Sequence, residues 1–132
     1  MTGSKDLQYL LREANPVLDN TEYVFVTQEG SYGDFAEWQP LGTFVEEEGM
    51  TFVLTKRSAD AHLLRYDGVF RRITLQVHSS LEAVGLTARF SQCLADADVS
   101  ANVFAAYYHD HIFVPAADAR KAMTALRQLA DQ

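Results

Sequence analysis

Apolar and polar positions alternate most regularly over residues 71–77, in the second half of the chain. The strict alternation predicts a strand with Ile73, Leu75 and Val77 on its buried face. Apolar residues then recur at helical spacing, which predicts a helix over residues 81–96. Gly85 falls in the first turns of that helix, where glycine costs about 1 kcal/mol relative to alanine. The glycine therefore indicates close approach of a ligand or partner backbone, or else tight packing of the helix on the sheet.

A hairpin and a final helix complete the second half. The β-branched and aromatic stretch 99–108 predicts a strand, His109 and Asp110 predict its turn, and residues 111–114 predict the returning strand. Helical spacing of apolar residues over 117–130 predicts the last helix. The order of elements in this half is therefore strand, helix, strand, strand, helix.

The first half repeats this order in a weaker form. Its predicted elements are a short amphipathic helix before Pro16, a strand over residues 22–27, an aromatic loop over residues 30–40, strands over residues 43–46 and 50–55, and a helix over residues 59–64 capped by Ser58. Two interleaved β-α-β-β-α units predict an α+β, ferredoxin-like fold, in which helices cover one face of an antiparallel sheet. The second half lacks a fourth strand of its own, so we expect strand 22–27 to lie beside strand 71–77.

Composition and charge narrow the classes of function. The chain has 132 residues, of which 48% are apolar and 22% charged, as in an ordinary globular domain, and we expect a single compact unit over residues 1–132. The net charge of −7 disfavours nucleic acid and anionic membranes as partners. The single cysteine, the lack of a long apolar run and the lack of a leader predict a cytoplasmic location.

The junction between the predicted strand and the predicted helix of the second half is the candidate binding site. His78, Ser79 and Ser80 lead into the start of the helix, where unpaired N–H groups and the helix dipole favour a carboxylate. An amino acid would also need an acceptor for its ammonium group. A backbone carbonyl of the adjoining strand, Asn102 or Asp110 could supply that acceptor.

Two long stretches, residues 75–88 and residues 100–115, resemble the small stand-alone ACT-domain family of bacteria, whose function is unknown. The acidic hairpin at residues 46–51 is also similar to that family, so that the resemblance covers nearly the whole chain. It implies a degenerate ACT-like half over residues 5–68 and an ACT half over residues 69–132. Departures from the ACT pattern in the loop 30–42 put a second, symmetric binding site in doubt.

The resemblance also implies what the protein does. It implies a ferredoxin-like ACT fold, pairing of units into a homodimer, and binding of an amino acid or related carboxylate at the turn between strand and helix. It implies neither catalysis nor a cofactor. With the turn described above, it gives this predicted ligand-binding set: His78, Ser79, Ser80, Glu82, Gly85, Leu86, Asn102 and Asp110.

Several alternatives remain open at this point. A metal site is one alternative, with His78, His109, His111 and Asp110 as its candidate ligands. A predicted turn interrupts this stretch, so the spacing of these residues does not ensure that they meet at one site. A nucleophilic triad of Ser79 or Ser80 with His78 and an acidic residue is disfavoured, because the sequence contains no Gly-x-Ser-x-Gly elbow. An enzyme using His78, Asp110 and Glu82 is the weakest hypothesis. A structural or protein-interaction module that has lost its ligand, and that pairs through an exposed sheet edge, is the main alternative.

Two further features have a structural and a functional interpretation. Cys93 lies in the apolar stripe of its helix with no adjacent basic residue, which predicts a buried, unreactive thiol. Tyr32, Phe35 and Trp38 lie in a loop that contains glycine. These aromatic side chains could line a pocket or a subunit contact, or pack onto the core beneath their own loop.

Overall fold

The computed structural model describes residues 9–76 and 85–131. The strands are β1 (Val17–Gln28), β2 (Gly42–Glu46), β3 (Gly49–Thr55), β4 (Phe70–Leu75), β5 (Asn102–Ala105) and β6 (Asp110–Pro115). The α-helices are α1 (residues 9–13), α2 (Lys56–Ala61), α3 (Leu86–Asp96) and α4 (Ala119–Ala130), and the 3₁₀ helices are Tyr32–Trp38 and Ala116–Asp118. The chain forms a larger unit, built from residues up to 20 and from 71 onwards, and a smaller unit over residues 21–70.

The strand order is β2-β3-β1-β4-β6-β5. The printed registers of β1 with β3, β2 with β3 and β5 with β6 are all antiparallel. β1 has residues in both units and is the neighbour of β4 in the strand order. Polar contacts of β4 with β1 lie at Asp19 and Asn20, ahead of the predicted strand over residues 22–27, so the placement of that predicted strand beside β4 stays a prediction. The predicted α+β, ferredoxin-like architecture of interleaved β-α-β-β-α units, with helices packed on an antiparallel sheet, is observed.

The core of the larger unit joins α3 and α4 to one face of β4 and β6. Ile73 and Leu75 alternate with polar residues along β4, and Ile112 and Val114 alternate with His111 and Phe113 along β6, so that each pair faces the helices. The helices supply apolar residues at a spacing of three and four, among them Phe90, Leu94, Ala122 and Leu126. Full burial of one such large side chain contributes about 1.5–3 kcal/mol to the stability of this unit.

The core of the smaller unit is formed by β1, β3 and the aromatic loop. Val26 of β1 lies opposite Phe52 of β3, and both are buried. The 3₁₀ helix brings Trp38 onto this surface, with its ring centroid 5.4 Å from that of Phe52 and 4.5 Å from that of Phe35. Phe35 and Trp38 therefore pack onto their own core, whereas Tyr32 remains half exposed.

Two predicted boundaries are wrong because tertiary or capping partners outweigh the local pattern. β1 begins at Val17, ahead of the predicted residue 22, and its polar early part is held by β4: Arg72 forms an ion pair with Asp19 at 3.1 Å. Helix α2 begins at Lys56, because the hydroxyl of Thr55 accepts a hydrogen bond from the backbone N–H of Ser58 at 3.1 Å. Thr55, not Ser58, caps this helix.

The hairpin of the larger unit also differs from its prediction. β5 has only four residues, and the turn covers residues 106–109, where the N–H of Ala106 donates to the carbonyl of His109 at 3.1 Å. Tyr107 and Tyr108 lie in this turn, mostly exposed. Asp110 is therefore not a turn residue but the first residue of β6. Among the described residues, no helix is both long enough and apolar enough to span a membrane.

Candidate functional site

The predicted ligand-binding residues divide into two groups. His78, Ser79, Ser80 and Glu82 fall within residues 77–84 and lie outside the described residues. Gly85, Leu86, Asn102 and Asp110 are described, and all four belong to the larger unit. The geometry of the candidate site is therefore built from the start of α3 and from the β5–β6 hairpin.

The start of α3 is set by Gly85. This residue precedes the helix as its N-cap with φ 89° and ψ −14°, in the left-handed region that glycine enters without a steric cost. The prediction that Gly85 lies inside the first turns of a helix is wrong, since α3 begins at Leu86. Leu86 is only 2% exposed and packs in the core, so it anchors the beginning of the helix.

Asp110 is the buried charged residue of this region. It is 8% exposed and alternates with Ile112 and Val114 along β6, which directs it to the face of the strand that the helices cover. Its carboxylate accepts a hydrogen bond from the side chain of Thr87, the second residue of α3. Burial raises the pKa of Asp110, against the opposing effects of His111 and Thr87. A partly compensated carboxyl group thus lies beside the N-terminal end of α3.

Asn102 lies away from this carboxyl group. Asn102 is paired with Phe113, and Asp110 with Ala105, at opposite ends of the β5–β6 register. Three strand residues, roughly 10 Å, separate the two positions along β6. The side-chain amide of Asn102 donates instead to the carbonyl of Phe113 at 3.3 Å. Asn102 and Asp110 therefore cannot bind the same ammonium group, and of these two residues only Asp110 lies beside the start of α3.

A second set of polar residues lies on the other face of β4 and β6. The Nδ1 atom of His111 is 3.0 Å from the hydroxyl of Thr74, and Arg72 forms its ion pair with Asp19 two residues earlier on β4. Burial, followed by the charges of Arg72 and His109, lowers the pKa of His111, so its neutral form is favoured. Thr74, Arg72 and Thr87 are not among the site residues predicted from the sequence. Thr74 and Arg72 occupy the polar positions of the alternating strand β4, and that alternation could have indicated that they share its second face.

The histidines do not gather around a common centre in the part of the chain that the structure describes. The ring centroids of His109 and His111 are 6.4 Å apart. Within residues 9–76 and 85–131, no group of three histidine, cysteine, aspartate or glutamate side chains is arranged to hold a metal ion. His78, the remaining member of the set considered above, lies outside the described residues.

Cys93 is partly buried against the core of the larger unit. Its thiol donates to the carbonyl of Ala125 on α4 at 3.3 Å. Burial and the charge of Asp96 raise the pKa of the thiol, although Arg89, one turn earlier on α3, acts in the opposite direction. A basic residue does therefore lie near Cys93, contrary to the sequence analysis, but it does not produce a reactive thiolate.

The comparisons with known proteins identify the family. ACT-domain models match residues 2–71 and residues 70–128. This chain belongs to the ACT-domain family. The predicted resemblance to tandem ACT proteins of unknown function is thereby confirmed. ACT domains are typically regulatory modules that bind amino acids.

Solved structures of other ACT-like chains support this assignment. A Vibrio cholerae protein of unknown function, described as a possible transport protein, is 46% identical, with a TM-score of 0.89 over 98% of this chain and 99% of that chain. An Agrobacterium tumefaciens protein shares the fold at 14% identity, with a TM-score of 0.72 and 87% of each chain covered. The regulatory subunit of aspartate kinase from Thermus flavus is also 14% identical, with a TM-score of 0.61 over 86% of this chain and 95% of that chain. The comparison with curated proteins finds no match.

Proposed function

We propose that this ACT-domain protein is a regulatory protein that binds an amino acid, or a related small carboxylate, where β4 leads to α3. One observation carries the proposal: the buried carboxyl group of Asp110 beside Thr87 at the N-terminal end of α3. In this proposal the ammonium group of the ligand binds Asp110. The carboxylate of the ligand binds at the start of the helix, next to Gly85.

The charge of Asp110 explains why a ligand would bind there. A buried carboxylate without a cation is costly, and the raised pKa of Asp110 reflects that cost. An ammonium group 4 Å away would contribute about 4 kcal/mol of gross attraction at an effective dielectric constant near 20, part of which offsets the desolvation of the ligand. Ligand binding is therefore expected to lower the pKa of Asp110 and to keep the carboxylate ionised.

The remaining contacts of the site are predictions from sequence. Ser79 and Ser80 are expected to bind the carboxylate of the ligand together with the first N–H groups of the helix. His78 and Glu82 complete the predicted set on the same segment. Gly85 would let the backbone turn into α3 without a side chain at the mouth of the site.

A thermal-shift screen with the twenty common amino acids tests the proposal. A ligand at one hundred times its dissociation constant adds about 2.7 kcal/mol to the free energy of unfolding, which raises the Tm by roughly 8 °C. We expect one amino acid or a small group to give such a shift, and Asp110→Asn to lose it. Asp96→Asn is the matched control, because Asp96 is exposed at the other end of α3. Equal shifts in the two variants would refute the role of Asp110.

Regulation in this proposal acts through assembly. We propose a cytoplasmic homodimer in which bound ligand changes the contact between subunits, and we assign the protein no catalytic activity of its own. The division into an ACT-like half over residues 5–68 and an ACT half over residues 69–132 stays a prediction. Light scattering with and without the amino acid found in the screen measures the change in mass that this mechanism requires.

An exposed sheet edge favours a second candidate, an interaction module without a ligand. β2 is at one end of the strand order, and its Phe44 and Val45 are 70% and 75% exposed. Consecutive strand residues point to opposite faces, so both faces of this edge are apolar and open to pairing. If the protein is such a module, Phe44→Ser will dissociate its dimer. Variants of Ser79, Ser80 and Gly85 will then leave the dimer intact, and no amino acid will stabilise it.

A further inference from the structure

The larger unit contains a groove between the start of β1 and helix α4, with a volume of about 580 Å³, that no part of the proposed function uses. The residues that line it include Val17, Leu18, Arg120, Met123, Thr124 and Arg127. We propose that this groove binds an extended, acidic peptide segment of a partner protein, whose backbone pairs with β1 and whose carboxylates contact the two arginines. Asp110 does not line the groove, so the two sites can be tested separately.

The start of β1 has an edge that no described strand covers. β3 pairs with β1 only from Tyr23 onwards, because β3 ends at Thr55, the partner of Tyr23. β4 is the neighbour of β1 on the other side. Among the strands that the structure describes, none is therefore left to pair with this second edge ahead of Tyr23. Such an edge presents backbone N–H and C=O groups to an added strand, which is a recurring mode of peptide recognition.

The open part of this edge lies beside the groove. The carbonyl of Asp19 already accepts a hydrogen bond from the guanidinium of Arg71 at 3.1 Å, so an added strand would pair ahead of it, at Val17 or Leu18. Adjacent strand residues direct their backbone groups to opposite edges, so one of these two residues offers its N–H and C=O outward. The pairing is short, and the side chains of the groove have to supply the rest of the affinity.

Leu18 and Met123 form an apolar floor in the groove. Leu18 packs against the core of the larger unit, on the face that the helices cover, while Asp19 pairs with Arg72 on the other face. Met123 of α4 is buried in the same core. A strand added beside β1 would direct every second side chain towards this floor and towards α4.

Arg120 and Arg127 give the groove a positive charge. They are seven residues apart, close to two turns of α4, so they project from nearly the same side of the helix. Neither guanidinium has a hydrogen bond or ion pair with another residue of the described chain, whereas Lys121 on the same helix pairs with Asp118. The chain as a whole has 18 acidic and 11 basic residues. Two unpaired arginines in one groove of an acidic protein favour an acidic partner.

The spacing of the two arginines suits an extended chain. Two turns of helix separate their Cα atoms by about 10.5 Å. Alternate residues of a strand point to the same face, about 6.7 Å apart. Carboxylates at alternate positions of the peptide therefore lie within reach of two long, flexible arginine side chains, each of which can bind a carboxylate through two parallel hydrogen bonds. A peptide with glutamate at every second position matches the groove in charge and in period.

The probe is an octapeptide with blocked ends and a fluorescent label, in which glutamate and valine alternate. We expect its fluorescence anisotropy to rise saturably as the protein is added at low ionic strength, and its affinity to fall as salt is added. The same peptide with glutamine in place of glutamate should bind about tenfold more weakly or worse. A copy methylated on every backbone nitrogen keeps the charge but cannot donate to a strand, and it should also bind about tenfold more weakly.

Single variants assign the contacts to α4. Arg120→Gln and Arg127→Gln should each weaken binding of the glutamate peptide about tenfold, and neither should change binding of the glutamine peptide. Lys121→Gln is the matched control, because it removes the same charge from a neighbouring position that does not line the groove. It should bind the glutamate peptide like the wild type. All three side chains are exposed, so an unchanged Tm is expected and shows that each variant is folded.

Independence from the Asp110 site is checked with Asp110→Asn, which should bind the glutamate peptide like the wild type, whatever the thermal-shift screen finds for that variant. The proposal is overturned if the folded wild type does not bind this peptide saturably, or binds its glutamine or methylated copy equally well. It is also overturned if both arginine variants bind like Lys121→Gln. A change in the mass of the peptide-free protein in Arg120→Gln, measured by light scattering, would show that a second copy covers the groove and would overturn it as well.

Discussion

Whether Gly85→Ala stabilises or destabilises the protein depends on the backbone conformation at the start of α3. With φ 89° at the N-cap of α3, Gly85 occupies a region that a residue with a Cβ enters only under strain. Gly85→Ala therefore forces either a strained left-handed alanine or a rearranged start of the helix. If Gly85 were inside a regular helix, as the sequence pattern predicts, the same substitution would be stabilising.

The expected magnitude follows from two opposing effects. Left-handed backbone costs an L-residue about 1–2 kcal/mol. Alanine recovers about 0.5–1 kcal/mol, because its unfolded chain has less entropy to lose than that of glycine. The net loss for Gly85→Ala is about 1 kcal/mol, which corresponds to a decrease in Tm of roughly 3 °C in a chain of this size. In a regular helix, the change would be a gain of about 1 kcal/mol.

Urea unfolding followed by circular dichroism, with a thermal scan beside it, measures this difference. The control is Gly33→Ala in the smaller unit. A Cβ at Gly33 meets only the Ser31 hydroxyl at 3.9 Å, and the residue does not have a positive φ. We expect Gly33→Ala to stabilise the protein by about 0.4–1 kcal/mol. Stabilisation by both substitutions would refute the left-handed geometry at Gly85 and the account of how α3 begins.

Three further substitutions test the electrostatics and the two cores. Burial raises the pKa of Asp110, so the folded state holds this proton more tightly than the unfolded state does, and stability is lost as the pH rises above about 3.8. Asp110→Asn lacks this carboxyl group, so its free energy of unfolding should increase relative to that of the wild type as the pH rises. Urea titrations at a series of pH values measure this difference. Leu94→Ala should cost about 2–5 kcal/mol in urea unfolding, since its side chain is fully buried in the larger unit. Phe52→Ala should cost about 3–5 kcal/mol and shift the emission of Trp38 to the red, because its ring packs on the indole; unchanged emission would contradict that packing.

Elements with a strong local pattern were predictable from the sequence. The alternation along β4 predicts Ile73 and Leu75 in the core, and the helical spacing in α4 predicts Ala122, Met123 and Leu126 there; the structure buries all five, whereas Val77 lies outside the described residues. The early part of β1 was not predictable, because Asp19 and Asn20 carry no strand signal and are held by Arg71 and Arg72, more than fifty residues later in the chain. A pattern read over a short stretch of sequence cannot show contacts with residues so far away in the chain.

The candidate site was predictable in kind but not in geometry. The sequence indicates a strand-to-helix junction with acidic and amide side chains nearby, and Asp110 does lie beside the start of α3. It does not distinguish Asn102 from Asp110, because the hairpin register that separates them depends on where the turn falls. Thr87 looked like an ordinary helix residue, and its role appears only when β6 is placed against α3.

The most direct test of the central claim is a calorimetric cycle on Asp110. The amino acid that gives the largest thermal shift, and its hydroxy-acid analogue without the ammonium group, are each titrated into the wild type and into Asp110→Asn. If Asp110 binds the ammonium group, the variant should bind the amino acid about ten- to a hundredfold more weakly and the hydroxy acid with unchanged affinity. An equal loss of affinity for both ligands, or none for either, would contradict the account.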